Sequence, residues 1–234
     1  MPDPASAIPR PGYGRRGSCN TPILPHPEGM TSTSPLLPNH WLPDLGALTL
    51  ACGECQQCSL SASRQQVVVG RGNPKARLML IGEAPGAEED ATGLPFVGRS
   101  GLLLDQLLAE VGLDRDHDLY ICNGLKCRPP ENRKPKPAEL EACRPWLEQQ
   151  INLVNPAVIG LVGATALSAV LGTKAGISQL RGQWLAGEGP LLGGRALMPL
   201  FHPSYLLRNP SRLEGKPRSL TVGDLARLAR RISQ

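Results

Sequence analysis

Aromatic residues are scarce in this chain: two phenylalanines, three tyrosines and three tryptophans among 234 residues. Long apolar runs are missing too, and none approaches the roughly 20 residues that a membrane span needs. The chain opens on prolines rather than on a charged segment followed by an apolar one, so neither an anchor nor an export signal is expected. No internal repeat is visible. Charge of one sign is only mildly in excess, with 25 basic against 20 acidic residues and a net charge of +5. That balance is compatible with a polyanionic partner without demanding one. Cysteines number seven, an odd and unevenly placed set. An export disulfide framework is therefore the poorer reading and metal or cluster ligation the better one. These absences leave an intracellular protein with one core of ordinary size and a tail.

Residues 1–43 carry ten prolines among Ser, Thr and Gly, with no sustained periodicity. Such a segment cannot offset its ordering entropy and is expected to be disordered, which puts the folded domain at 44–234. A short helical pattern over Leu45 to Ser61 is followed by Val67-Val68-Val69, a strand signal, and then by the Gly70–Pro74 turn. Four apolar runs read as parallel strands: Leu78 to Ile81, Leu119 to Cys122, Val158 to Val162 and Ala196 to Phe201. Helical patterns alternate with them near Leu102 to Val111, Pro137 to Val154 and Thr165 to Leu171, and Leu220 to Ile232 closes the chain. The expected fold is an α/β protein, a three-layer α/β/α sandwich around a four-stranded parallel sheet.

In that fold the residues just after the strands converge on one sheet edge, where ligands of open α/β sheets bind. They are Gly82-Glu83-Ala84, Asn123, Gly163-Ala164-Thr165 and His202. The first of these loops is unusual. It runs through Pro85, Gly86 and the acidic Glu88-Glu89-Asp90 to Pro95-Phe96-Val97-Gly98, which sets a phenylalanine between proline and glycine, away from any helix or strand core. Cys55-Gln56-Gln57-Cys58 is a C-x2-C pair, and with Cys127 and Cys143 it makes a four-thiolate set suited to zinc or an iron–sulfur cluster. Spacing does not separate these two, and Cys52/Cys55 is an equally good pair. Cys122 lies in a strand and reads as core, and Cys19 lies in the tail.

Four motifs, GEAPG at 82–86, GLPFVGRSGLLLDQLL at 93–108, ICNGLKCRPPENR at 121–133 and FHPSYLLRNPSR at 201–212, resemble the family 4 uracil-DNA glycosylases. The likeness runs from about Cys55 to the C-terminus. It implies a monofunctional hydrolase that cleaves the N-glycosidic bond of uracil flipped out of DNA and leaves an abasic site. It also implies a [4Fe-4S] cluster on Cys55, Cys58, Cys127 and Cys143, uracil-containing DNA as the partner, a monomer, and a place in the cell interior with the nucleoid. Cys58 keeps the family's distance to the Gly70–Pro74 turn, which leaves Cys52 a bystander.

The resemblance assigns roles that make physical sense. Phe96 stacks on the flipped base without regard to its identity. Asn123 offers an acceptor and donors to the O4 and N3 edge of uracil, a pattern that cytosine reverses. His202 donates to O2 as the leaving base takes on negative charge. Glu83, Ala84 and Pro85 line the base site. Family 1 relatives place a water-positioning aspartate where this chain has Ala84, so the water falls to Glu83, to a backbone carbonyl or to one of Glu88, Glu89 and Asp90. The loop from His202 to Arg208 looks like the family's minor-groove wedge, with Leu206 or Leu207 filling the vacated stack. Arg208, Arg212, Lys216 and Arg218 are the expected phosphate contacts. Lys126, beside a cluster ligand, is no lyase amine and reads as a further phosphate contact. A related protein that captures uracil-DNA without turnover carries an Arg-Arg-Ile-His insertion after the Cys127 position, which this chain lacks.

Overall fold

The computed structural model describes residues 41–173 and 175–234. Most of the expected tail, residues 1–40 with Cys19, lies outside the described residues. In chain order the elements are α1 (Leu45–Gly53), β1 (Arg71–Gly72), β2 (Leu78–Gly82), α2 (Ala87–Thr92), α3 (Arg99–Glu110), β3 (Leu119–Asn123), α4 (Pro137–Val154), β4 (Val158–Val162), α5 (Ala164–Leu171), α6 (Ile177–Leu180), β5 (Leu185–Ala186), α7 (Gly189–Leu192), β6 (Ala196–Leu200), α8 (Pro203–Arg208) and α9 (Pro217–Ile232). Asp44 caps α1 by accepting from the Ala47 amide at 2.8 Å. Leu42 is already tied to α4, its amide donating to Gln149 Oε1 at 3.2 Å.

The four expected strands are the parallel centre of the sheet. β2 pairs with β3 on one side and β4 on the other, and β4 pairs with β6. They are apolar runs because both faces are covered, as parallel sheets require. Leu78 and Leu80 pack under α3 and α9, while Met79 and Ile81 face α4, α5 and α7. Period two along one strand thus feeds two cores, and the three-layer sandwich follows. No helix among the described residues is long and apolar enough to cross a membrane.

Four details differ from the sequence reading. The sheet has six strands in the order β1-β3-β2-β4-β6-β5, because two-residue strands pair antiparallel at each edge. Val67–Val69 is not one of them; Val68 donates one backbone bond to Lys126 O at 2.8 Å, and pairing with β3 begins only at Arg71. The helical pattern of Leu45 to Ser61 breaks at Gly53, so Cys55 and Cys58 lie in turns before a 3-10 turn at Ser59–Ala62. The acidic run Glu88-Glu89-Asp90 forms α2 rather than open loop.

Candidate active site

The carboxyl ends of β2, β3 and β6 bring Gly82, Asn123 and His202 together, and the loop after α2 folds Phe96 over them. Phe96, Asn123 and His202 line one cavity with Ala84, Glu89 and Ser204. The Phe96 and His202 rings stand 5.9 Å apart between centroids, tilted by 32°. Asn123 is buried to 2% exposure, yet no hydrogen bond among the described residues engages its carboxamide, so that group is free to meet a ligand. Its backbone carbonyl is held instead, accepting from Lys126 Nζ at 2.6 Å. Lys126 is therefore a buried brace for the Asn123 turn, and a phosphate contact is excluded by its 1% exposure.

Phe96 sits in the left-handed region at φ 54°, which a bulky residue adopts only when its surroundings dictate it. Three contacts do so. Glu89 Oε1 accepts from the amides of Val97 at 3.0 Å and Gly98 at 2.9 Å, while its Oε2 accepts from Gly86 at 3.0 Å. Arg115 Nη2 donates to the Phe96 carbonyl at 2.7 Å and pairs with Asp105. Gly101 lets that carbonyl approach where any Cβ would stand 1.8 Å away. The sequence offered Glu89 only as one acidic loop residue among three that could position a water. The signal that could have found it is Gly86-x-x-Glu89, the spacing at which a side chain three residues into a helix reaches back to the cap.

Gly82 admits both ligand-facing groups, since a Cβ there would lie 2.4 Å from Asn123 Oδ1 and 2.6 Å from Phe96 Cζ. Both are side-chain tips, which can yield without unravelling the sheet. Gly82→Ala is therefore expected to keep its fold but to misplace both groups, lowering turnover roughly 100-fold. Steady-state kinetics alongside a thermal melt check this; equal losses of stability and activity would refute it.

His202 Nδ1 accepts from the Ser204 amide at 3.1 Å, with Ser204 Oγ at 2.8 Å from the same nitrogen. A backbone N–H can only donate, so Nδ1 is unprotonated and Nε2 carries the hydrogen of the neutral ring. Burial lowers the imidazole to about 4, with Arg208 pushing the same way and Glu89 opposing. The ring is thus a neutral donor at ordinary pH. It forms a wall shared with a second cavity, lined by Glu83, Thr165, Tyr205 and Arg208. Ala84 lines both cavities, and Pro85 is buried beneath.

The candidate water-positioning groups now separate. Asp90 is buried and accepts from the Gln65 amide at 3.0 Å, and Glu89 is spent on three amides. Glu88 is exposed on α2. Glu83, partly buried beside His202, stays a candidate together with a backbone carbonyl of the loop and Glu88, which lines the Phe96 cavity.

In the His202 to Arg212 segment, Leu206 is 1% exposed and packs in the core, whereas Leu207 is 38% exposed. Helix phase in α8 decides between them, and Leu206 is corrected to a core residue. Arg208 and Arg212 are exposed, without an ion pair among the described residues. Lys216 is exposed as well. Arg218 is not a surface cation: it is buried and donates to Glu110 Oε1 at 2.6 Å.

On the other side of the β3 turn, Cys52, Cys55, Cys58, Cys127 and Cys143 line one cavity with Arg64, Lys126 and Trp146. Trp146 Nε1 points at Cys55 Sγ (3.3 Å), the Lys126 amide at Cys143 Sγ (3.3 Å) and Arg64 Nη1 at Cys127 Sγ (3.5 Å). Donors aimed at sulfur suit thiolates. Burial opposes that charge, pushing Cys143 up to about 12 and raising Cys127, so a cationic group is needed to hold them deprotonated. Among the described residues no three His, Cys, Asp or Glu side chains are arranged to hold a single metal ion. Four or more thiols gathered in one cavity are a donor set that suits zinc or an iron–sulfur cluster.

Residues 69–226 match the family described as Uracil DNA glycosylase superfamily. A type-4 uracil-DNA glycosylase of Thermotoga maritima is 52% identical over 159 residues, which cover 68% of this chain and 80% of that protein. A second, from Pyrobaculum aerophilum, is 39% identical over 173 residues, covering 72% and 87%. A type-5 uracil-DNA glycosylase of Thermus thermophilus is 37% identical over 163 residues, covering 62% and 73%. The family match takes in every strand of the sheet and both walls of the cavity that Phe96, Asn123 and His202 share, so this chain belongs to the uracil DNA glycosylase superfamily.

Proposed function

We propose that the chain is a monofunctional uracil-DNA glycosylase that excises uracil from DNA by hydrolysis, with the cavity of Phe96, Asn123 and His202 as its base site. The observation that carries this reading is the unpaired edge of Asn123: a buried carboxamide with no partner among the described residues, in one cavity with an aromatic ring and a neutral imidazole donor. Uracil stacks on Phe96, pairs through N3–H and O4 with Asn123, and presents O2 to His202 Nε2–H. As the N-glycosidic bond breaks, its electron pair moves into the base and the sugar becomes oxocarbenium-like. His202 stabilises the developing anion without first having to lose or gain a proton. The sugar lies at the wall between the two cavities, and Glu83 orients the water that adds to C1′. A dissociative path asks little of the nucleophile, so Ala84 in place of an aspartate slows the reaction rather than preventing it.

Cys55, Cys58, Cys127 and Cys143 hold a [4Fe-4S] cluster, which supplies a cross-link between the α1 segment, the Cys127 loop and α4. Release of free uracil from a uracil-containing oligonucleotide by anaerobically purified protein tests the function. No release, from protein that carries iron and binds the DNA, would sink it. The setting implied is the cell interior, where genomic DNA lies.

Leu207 is the wedge that fills the emptied stack, and Arg208 and Arg212 grip the flanking phosphates. Arg208→Ala is expected to weaken binding to all sequences alike and to flatten the plot of log affinity against log salt by about one unit of slope. Arg218→Ala should leave that slope intact and lower the melting temperature, because its guanidinium is committed to Glu110. Titrations at several salt concentrations distinguish the two.

A further inference from the structure

The thiolate cavity holds one sulfur too many. A [4Fe-4S] cluster takes four cysteines, and five line this cavity. The surplus is confined to one place: Cys52 and Cys58 stand three residues before and three residues after Cys55, so either completes a C-x2-C pair with it. The backbone turns to present both. The Cys55 amide bonds back to Cys52 O at 3.1 Å at the end of α1, and the Ser61 amide bonds to Cys58 O at 3.2 Å at the next turn. The two cysteines differ in shelter. Cys52 has no exposure and packs in the same apolar cluster as Cys127, Cys143 and Trp146, whereas Cys58 is partly exposed on the connecting turn. A ligand at the solvent edge is the one that oxidants reach first.

We infer that Cys52 is a reserve ligand: the cluster rests on Cys55, Cys127 and Cys143 and takes its fourth thiolate from Cys58, or from Cys52 when Cys58 dissociates. This rests on the cluster assigned under the proposed function. The exchange balances without redox chemistry. The Cys52 sulfur bonds to iron and releases its proton to solvent, while the Cys58 sulfur leaves as thiolate and takes up a proton. Cys52 already lines the cavity that the other four cysteines share.

The test compares iron and acid-labile sulfide in anaerobically purified wild type, Cys52→Ala, Cys58→Ala, the double variant and Cys55→Ala. Wild type and both single variants at positions 52 and 58 are expected to keep about four irons per chain, while the double variant and Cys55→Ala lose them. The electron paramagnetic resonance spectrum of the reduced cluster should shift in Cys58→Ala and superimpose on wild type in Cys52→Ala. Cys58→Ala with no more iron than the double variant overturns the inference, as does a double variant with as much iron as Cys58→Ala. Wild type without iron defeats the cluster itself, a different failure, because all five proteins would then be alike. A measurement independent of Cys58→Ala folding is the loss of cluster absorbance in air: several-fold faster bleaching in Cys52→Ala supports a reserve role, and equal rates overturn it.

Discussion

Replacing His202 by alanine is expected to lower kcat for uracil release roughly 100- to 1,000-fold, the usual cost of removing one donor aimed at a developing anion. The loss should fall on kcat far more than on KM, because charge on O2 grows only as the glycosidic bond breaks. Single-turnover kinetics with enzyme in excess separates the two. A second readout distinguishes this donor from a protonated histidine. The ring is depressed to about 4 by burial and by Arg208, so it stays neutral across the ordinary titration range of histidine. The rate profile of the wild type should therefore show no break near pH 6.5. A break there that vanishes in the variant would mean an imidazolium donor and overturn the assignment. Stability should follow the same ring. Between pH 6.5 and about 4 the unfolded chain binds a proton at this histidine and the folded chain does not, so its contribution to stability falls as pH drops through that window. The integrated effect is on the order of 3 kcal/mol. It is absent from His202→Ala, which denaturant titrations at several pH values would reveal.

Asn123→Ala is expected to reduce kcat/KM for uracil at least about 100-fold, through the loss of paired hydrogen bonds that only the correct base completes. The fold should survive, because the carboxamide has no hydrogen-bond partner among the described residues while the turn is held by Lys126 on the Asn123 carbonyl. Stacking on Phe96 remains, so affinity for DNA falls much less than turnover does. Discrimination between uracil and cytosine narrows for the same reason: the surviving contact is blind to base identity. A variant that retains the wild-type preference would move selectivity away from Asn123. Measuring excision from uracil and cytosine in the same sequence context decides it.

The parts of this molecule that sequence made legible are those that repeat or that meet a strong local rule. Runs such as Leu78 to Ile81 announce themselves because both faces are buried, and α4 starts at Pro137 and stops at Asn155 in the left-handed conformation, each a known helix boundary. The edge strands Arg71–Gly72 and Leu185–Ala186 are too short to carry any period. α2 was hidden for the opposite reason. Two of its three charged residues serve as ties, Glu89 to the Phe96 loop and Asp90 to Gln65, so burial ran against composition. The choice between Leu206 and Leu207 needed the phase of α8, and the burial of Arg218 needed its partner Glu110, more than a hundred residues away. The convergence of Phe96, Asn123 and His202 followed from the strand order of the fold, but what pins Phe96 in place did not.

The strand order also governs what a growing chain can do. β6, the last strand in sequence, is not at the edge of the sheet but between β4 and β5. A ribosome that has released the chain only through β4 has exposed Phe96, Asn123 and every thiol of the cluster cavity, but not His202. Such a nascent chain holds Phe96 and Asn123, two walls of the shared cavity, and lacks His202, the residue proposed to stabilise the leaving base. Domains fold as units when their long-range pairings become available, and here the final pairing delivers the histidine. Synthesis therefore leaves the cavity without its His202 wall until the sheet can close.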